Sequence, residues 1–358
     1  MPAHPPCAFI NAIGTAVPAH DIHDAFRGWA QARVASREAA VFERMARRAA
    51  ITHRWSVLPS APGGGSPVAT GGFYDSDPLP GTADRMAVYA REAPALALDA
   101  IRALSASIDL GGITHLVVAS CTGFVAPGID QIIAADLKLE GVERLLIGFM
   151  GCYAAVAALR SARHIVRSEP AARVLVVTVE LSTLHLQPAR EIEPLLAMLQ
   201  FGDGAAAALV TGEPHGLAIG TPFAATLDDS AALIRWDITD RGFAMHLSGE
   251  VPARIGAALT DPRFAARVTG GRDPRAIDAW AVHAGGRSIL DAVAQALALD
   301  AAALDASRAV LADNGNMSSA TLMFVLARLL AGPRVDAGVA LAFGPGLAAE
   351  GFAFAGAH

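Results

Sequence analysis

Gly148-Phe149-Met150-Gly151-Cys152-Tyr153-Ala154-Ala155 is the stretch on which the reading of this chain turns. The apolar run Leu145-Leu146-Ile147 stops at a glycine. Beyond Cys152, the residues Val156, Leu159, Ala162 and Val166 recur at helical spacing, while Arg160, Arg163 and Arg167 take another face. The pattern predicts a strand, a tight turn at the two glycines and an amphipathic helix over 152–168, with Cys152 in its first turn. Free N–H groups and the helix dipole at such a position favour thiolate over thiol. A free cysteine is equally an ordinary small core residue, so a nucleophile needs a base and oxyanion donors elsewhere in the chain.

Of the 358 residues, 53% are hydrophobic and 17% charged, which suits an α/β protein with strands buried on both faces and alanine-rich helices packed closely on them. The net charge is −6 and no basic run stands out, so nucleic acid is not an expected partner. Cys7, Cys121 and Cys152 are too few, and too irregularly spaced, for a disulfide framework or a structural zinc site. No metal is expected, and a reducing cytoplasm is the expected compartment. The apolar N-terminus, Met1 to Ala16, lacks a basic leading region and is broken by Pro2, Pro5 and Pro6; it reads as a first strand rather than a signal peptide. The stretch from Ala337 to Ala349 is interrupted by Pro345 and ends at Glu350, far short of a bilayer span, so no membrane insertion is expected.

Strand patterns fall at 8–14, 115–120, 144–149, 174–180, 205–210, 243–247, 279–283, 339–343 and 352–354, and helical ones at 21–50, 82–105, 152–168, 189–199, 252–266, 287–297 and 319–330. The Pro-, Gly- and Ser-rich segment 59–81 reads as irregular surface. Alternating strands and helices imply parallel sheets covered on both faces. Residues 1–212 and 213–358 share a rhythm, which suggests a duplicated unit, and Cys152 and Asn316 stand at the start of an apolar helix in corresponding places.

His283 ends the apolar strand Trp280-Ala281-Val282 and enters a glycine turn; Asn316 lies in Asn314-Gly315-Asn316-Met317-Ser318-Ser319. Taken singly, the first reads equally as a structural histidine and the second as a turn before the helix cap Ser318. Taken with Cys152, they make a thiol, a base and an amide donor, a set suited to thioester chemistry.

Three segments, Gly148 to Ala155, Ala281-Val282-His283-Ala284-Gly285-Gly286-Arg287-Ser288-Ile289-Leu290 and Gly315-Asn316-Met317-Ser318-Ser319-Ala320-Thr321, resemble in wording, order and spacing the catalytic segments of type III polyketide synthases, the chalcone synthase-like enzymes. Phe201-Gly202-Asp203-Gly204 and Phe343-Gly344-Pro345-Gly346-Leu347 extend the likeness over nearly the whole chain. The resemblance implies the thiolase fold, an α/β arrangement of duplicated βα halves in five αβαβα layers, working as a homodimer. It implies coenzyme A thioesters as substrates, with no permanently bound cofactor. By the same likeness Cys152 carries the acyl chain, and His283 and Asn316 support the thiolate and the malonyl decarboxylation. Phe201 is a gate, and Arg44 and Arg48 hold coenzyme A phosphates.

Cys121, Thr122, His185, Trp236, Met245, Ser318, Gly344, Pro345 and Gly346 are then expected around the gate and cavity. Met245 stands where plant members carry a second gating phenylalanine, Trp236 where they carry a glycine, and His185 where they carry a small polar residue. These departures, with the bacterial style of Cys121-Thr122-Gly123, point to fatty acyl-CoA extended with malonyl-CoA to an alkylpyrone or alkylresorcinol. Two alternatives share the triad: a ketoacyl synthase III-like single condensation, and a catalytically dead binding protein of the same fold.

Overall fold

The computed structural model describes residues 7–62 and 66–357; Met1 to Pro6, Gly63 to Gly65 and His358, parts of the N-terminal and irregular segments read above, lie outside the described residues. Nine strands form one sheet in the order Ala279–Val282, Gly338–Gly344, Ala348–Gly356, Leu217–Thr226, Phe9–Ala16, Asp203–Thr211, Val174–Leu181, His115–Ser120 and Glu143–Gly148. The two blocks of this sheet meet at a narrow seam, where Phe9 pairs with Ala218 and Ile10 with Leu217.

Alternate residues of each strand serve different layers. Val117, Val176 and Ala208 face a central core, while Leu116, Val177 and Ala207 face an outer one. The central core holds two helices, Ala154–Ser168 and Ser319–Leu330, between the blocks: Val156, Leu159, Leu322 and Val325 are packed with Val176 on one side and Ala340 on the other. The helix Thr82–Ser105 covers the outside of one block. Val251–Thr260 and Arg287–Ala296 cover the other, around Trp280 and Leu341. This is the five-layer thiolase fold. Each fully buried Val or Leu in these layers is worth about 1.5–3 kcal/mol of transfer free energy, which is why nearly continuous apolar runs are affordable here.

The sheet is mixed, not parallel. His115–Ser120 is parallel to both its neighbours, and Ala279–Val282 to Gly338–Gly344, but the other pairings are antiparallel. For Gly338–Gly344 and Ala348–Gly356 the reason is connection length: Gly344-Pro345-Gly346-Leu347 turns the chain straight back, and a tight return can only pair antiparallel.

The helix expected over 21–50 is two, His23–Gln31 and Ala39–Arg48, preceded by His20–Asp21 pairing with Trp55–Ser56. That expected over 252–266 breaks at Asp261-Pro262, since proline disfavours helical geometry in the preceding residue. Asp261 instead caps Pro262–Thr269, accepting from the N–H groups of Arg263 (2.8 Å) and Phe264 (3.0 Å). Four elements had no strong period to betray them: Ile129–Asp136, Leu217–Thr226, Ile234–Thr239 and Asp305–Asn314.

Candidate active site

The edge strand Glu143–Gly148 delivers the chain to a turn in which Phe149 has φ +54° and Gly151 φ +81°. A Cβ on Gly151 would lie 2.5 Å from Pro345 Cδ, so the turn closes only on glycine. The helix begins two residues later than its sequence suggests. Tyr153 caps it and the Ala154 N–H donates to Gly151 O at 3.0 Å, leaving Cys152 ahead of the first turn. Its thiol is not favoured as a thiolate by position alone: burial pushes it up to about 11, against the opposing pull of hydrogen bonds from Ser318 and Asn316.

Asn316 reaches the site on a loop whose apex is Gly315, at φ +68°. The Asn316 Nδ2 donates to Gly285 O at 3.2 Å, and its Oδ1 accepts from Ser318 N at 2.8 Å. Ser318 occupies the cap position of Ser319–Leu330 but makes no side-chain cap bond. Its hydroxyl instead lies 3.2 Å from Cys121 Sγ and donates to Cys152 Sγ at 3.8 Å. His283 leaves its strand with its N–H on Leu341 O at 2.8 Å and is 2% exposed. Neither of its ring nitrogens has a partner among the described residues, and burial lowers its pKa to about 3. Gly285 ties it to Asn316, because a Cβ there would sit 3.4 Å from the His283 Nε2. Each charge of a thiolate–imidazolium pair is therefore disfavoured singly.

One residue at the centre is not among those the sequence motifs single out. Glu180 is fully buried. Its Oε2 accepts from Cys121 N (3.0 Å), Cys121 Sγ (3.4 Å) and Thr122 Oγ1 (2.9 Å), and its Oε1 from the Ser319 hydroxyl. Burial raises its pKa to about 6 despite these donors. The available signal was a carboxylate inside the otherwise apolar run Val174–Leu181.

Cys152, Cys121, Thr122, Ser318, Phe201 and Trp236 share the wall of a small cavity of about 20 Å³, completed by Gly151, Ser182, Ile234, Met245 and Pro345. His185, His283, Asn316, Gly344 and Gly346 are not on that wall. Gly344 packs under Tyr153, whose Cδ1 is 2.6 Å from where its Cβ would be. His185 stands behind the cavity, stacked on Phe243 at 4.3 Å with Trp236 edge-on at 5.4 Å. Its Nε2–H donates to Thr122 O (2.7 Å), its Nδ1 accepts from Phe243 N (3.0 Å), and the Trp236 indole donates to Cys121 O (3.2 Å). These bonds fasten the hairpin Ile234–Thr239/Gly242–Leu247 across the Cys121-Thr122 turn.

Behind Phe201, Trp236 and Met245 lies a second chamber of about 70 Å³, walled mainly by apolar groups including Phe26, Leu58, Val68 and Met198. On the outside, Met45, Arg48, Gln200, Arg287 and Ser288 line a groove of about 310 Å³. Arg44 is exposed on the same helix as Arg48 but is not part of that wall, whereas Arg287, quoted in the sequence without a role, is. Arg48→Ala and Arg287→Ala are accordingly expected to raise the KM for coenzyme A esters by about tenfold with little change in kcat, as for a contact made equally in ground and transition states. Arg44→Ala should do less. N-acetylcysteamine thioesters, which lack the phosphates, should be processed alike by all three; steady-state kinetics on the two substrate types checks this.

The family description "Chalcone and stilbene synthases, N-terminal domain" matches residues 4–214, and its C-terminal counterpart matches residues 221–357. The chain belongs to the chalcone and stilbene synthase family. It is 33% identical over 285 residues, 76% of this chain and 72% of the relative, to "Alpha-pyrone synthesis polyketide synthase-like Pks18" of Mycobacterium tuberculosis. It is 31% identical over 67% of its length, and 66% of the relative's, to "Type III polyketide synthase C" of Arabidopsis thaliana. PKS-I from the brown alga Ectocarpus siliculosus superimposes with a TM-score of 0.88 at 26% identity, covering 99% of this chain and 100% of that one. The C-terminal type III polyketide synthase domain of Steely1, from Dictyostelium, superimposes equally well at 24% identity, covering 98% of this chain and 100% of that domain, and bears on the fold alone. The chain is thus an acyltransferase of the type III polyketide synthase class. Among the described residues, no helix is long and apolar enough to cross a membrane.

Proposed function

We propose that the chain loads a fatty acyl group from coenzyme A onto Cys152, extends it by repeated decarboxylative condensation with malonyl-CoA, and releases an alkylpyrone or alkylresorcinol. The observation that carries the fatty starter is the apolar chamber opening behind Phe201 and Met245, beside the thiol cavity. A methionine at such a junction adapts its shape to a flexible chain. The relative named for alpha-pyrone synthesis favours the lactone as product.

In this reading Cys152 gives its proton to His283, and the sulfur attacks the acyl carbonyl; a C–S bond to the protein forms as that to coenzyme A breaks. Malonyl-CoA then loses carbon dioxide. The electron pair left behind is spread onto the thioester oxygen, held by His283 and by the Asn316 N–H not engaged with Gly285. Both His283 nitrogens are unpartnered among the described residues, as a group waiting for a ligand oxygen would be. The enolate carbon attacks the Cys152 thioester, freeing the sulfur for the next round.

We further read residues 1–212 and 213–358 as the two thiolase-like halves and the working form as a homodimer in the cytoplasm. Strand Glu143–Gly148 is an open sheet edge with Leu145 43% and Leu146 45% exposed, beside Phe124 at 50%, an apolar surface that a second copy would cover.

Incubating the protein with malonyl-CoA and a ladder of acyl-CoA starters, with products read by mass spectrometry, tests the assignment; a chain that accepts only aromatic starters would contradict it. Trp236→Gly carries the test into the cavity. An indole that fills both walls cannot yield its volume without strain. The variant is expected to shift products toward at least one more malonyl unit or bulkier starters, at matched substrate concentrations. An unchanged ketide distribution from a folded variant would show that the indole serves only to fasten the hairpin.

A further inference from the structure

Arg54 is 1% exposed, and nothing in the motifs above singles it out. Its Nη1 donates to the carbonyls of Met198 (3.1 Å) and Phe201 (2.8 Å), and its Nε to His23 Nδ1 (3.1 Å). Its stem occupies the space that a side chain on Gly315 would need: a Cβ there would lie 2.9 Å from Arg54 Cγ. So the head of one residue holds the gate turn, and its stem holds the loop that carries Asn316. Those two segments are also laced directly, Asn316 N donating to Gln200 O at 2.7 Å and Gly202 N to Asn316 O at 3.0 Å. Arg54 itself is anchored, since Ile22 N donates to its carbonyl at 2.8 Å, its own N–H donates to Asp21 Oδ1 at 3.2 Å, and its guanidinium lies 4.7 Å over the Phe26 ring. Burying a guanidinium is expensive, and an apolar side chain of similar size would fill the space without that cost. The fork geometry of arginine, with two carbonyls on Nη1 and an imidazole on Nε at fixed separation, is what neither an apolar group nor a single ammonium can supply.

We propose that Arg54 is a positioning residue: it sets the spacing between the Phe201 gate and Asn316, and through it the alignment of the Asn316 amide on a thioester in the Cys152 cavity. The inference rests on the reading of Cys152, His283 and Asn316 as the catalytic centre.

Arg54→Lys keeps the charge but not the fork; Arg54→Met keeps the stem and removes all three donors. Decarboxylation of malonyl-CoA without starter reports the alignment of Asn316, and alkylation of Cys152 by iodoacetamide, followed by peptide mass spectrometry, reports the gate. Both variants are expected to lower kcat for decarboxylation by about 10- to 10²-fold, methionine more than lysine, because a remote displacement of about 1 Å costs on that order. KM should stay within about twofold, as positioning acts on the reacting geometry rather than on binding, and Cys152 should be alkylated faster as the gate loosens. Variants that melt earlier yet decarboxylate at the parental kcat per folded molecule, with parental alkylation, would overturn the proposal and leave Arg54 a stability residue.

If neither Arg54 variant folds, His23→Phe and His23→Gln leave Arg54 in place, the first removing the acceptor of its Nε and the second offering an amide oxygen. A rate that falls with phenylalanine and recovers with glutamine supports the proposal; equal rates overturn it. Failure of the catalytic reading is distinguishable, because it appears in the parent enzyme as absent decarboxylation.

Discussion

Cys152→Ala is expected to lower polyketide formation by about 10³-fold or more, since in the proposed mechanism Cys152 carries the growing acyl chain as a covalent intermediate. The fold should survive. The substitution removes one sulfur from the wall of a small cavity, and losses of that kind cost about 1 kcal/mol, so melting should move by only a few degrees. Acyl loading, read as a mass increment on the intact protein, should vanish with the activity. Cys121→Ser is the counterpart: its sulfur bonds Glu180 and Ser318 and shares the cavity wall, so loading should persist while the product ratio shifts. Acyl label retained on Cys152→Ala would move the nucleophile elsewhere.

The second large effect is expected at the two donors. Asn316→Ala and His283→Gln should each slow malonyl-CoA decarboxylation by about 10²- to 10³-fold, the scale for loss of one oxyanion donor. They should differ in pH behaviour. Burial, reinforced by the Glu180 carboxylate, raises the Cys152 thiol to about 11; a raised thiol pKa means that the reactive thiolate grows only as pH rises toward that value. In His283→Gln no imidazole takes the proton, so the midpoint of Cys152 alkylation should lie above the parent's. In the parent the midpoint should lie lower, because imidazolium and thiolate form together and offset each other's burial, and Asn316→Ala should fall between the two, having lost a hydrogen bond that lowers the thiol pKa. Equal midpoints in the parent and His283→Gln would remove His283 from the proton's path.

What could be read without coordinates was what depends on short stretches of chain. Gly148 to Ala155 and Gly315 to Ser319 announce themselves because their glycines and their apolar helices are local requirements, and the structure brings Cys152, Ser318 and Asn316 into one cluster. Glu180 was not legible as part of that cluster. Its donors come from Cys121, Thr122 and Ser319, 58 to 139 positions away, and no spacing rule connects them. Arg54 was hidden for the same reason, lying 144 and 147 positions from the carbonyls it holds. The state of the Cys152 thiol was less legible still: the helix start that would favour a thiolate is visible in the sequence and the desolvation that opposes it is not, and with the helix beginning after Tyr153 desolvation dominates. Parallel sheets were inferred from alternation alone, which says nothing of how short the returning turns are.

The central layer, where Ala154–Ser168 and Ser319–Leu330 lie between the two sheet blocks, is fully committed on every side. Both the Cys152 turn and the Asn316 loop are the leading ends of those two helices. The chamber walls have other origins: the hairpin 234–247, the N-terminal segments around Phe26 and Leu58, and the helix Ile192–Met198 with Phe201 beyond it. In the proposed assignment, reaction and product are therefore written on largely different parts of the chain, joined at Arg54 and Phe201. Descendants of such a sequence are free to drift in the peripheral walls, gaining new starters and chain lengths, while the middle of the molecule is held still by packing that tolerates almost nothing.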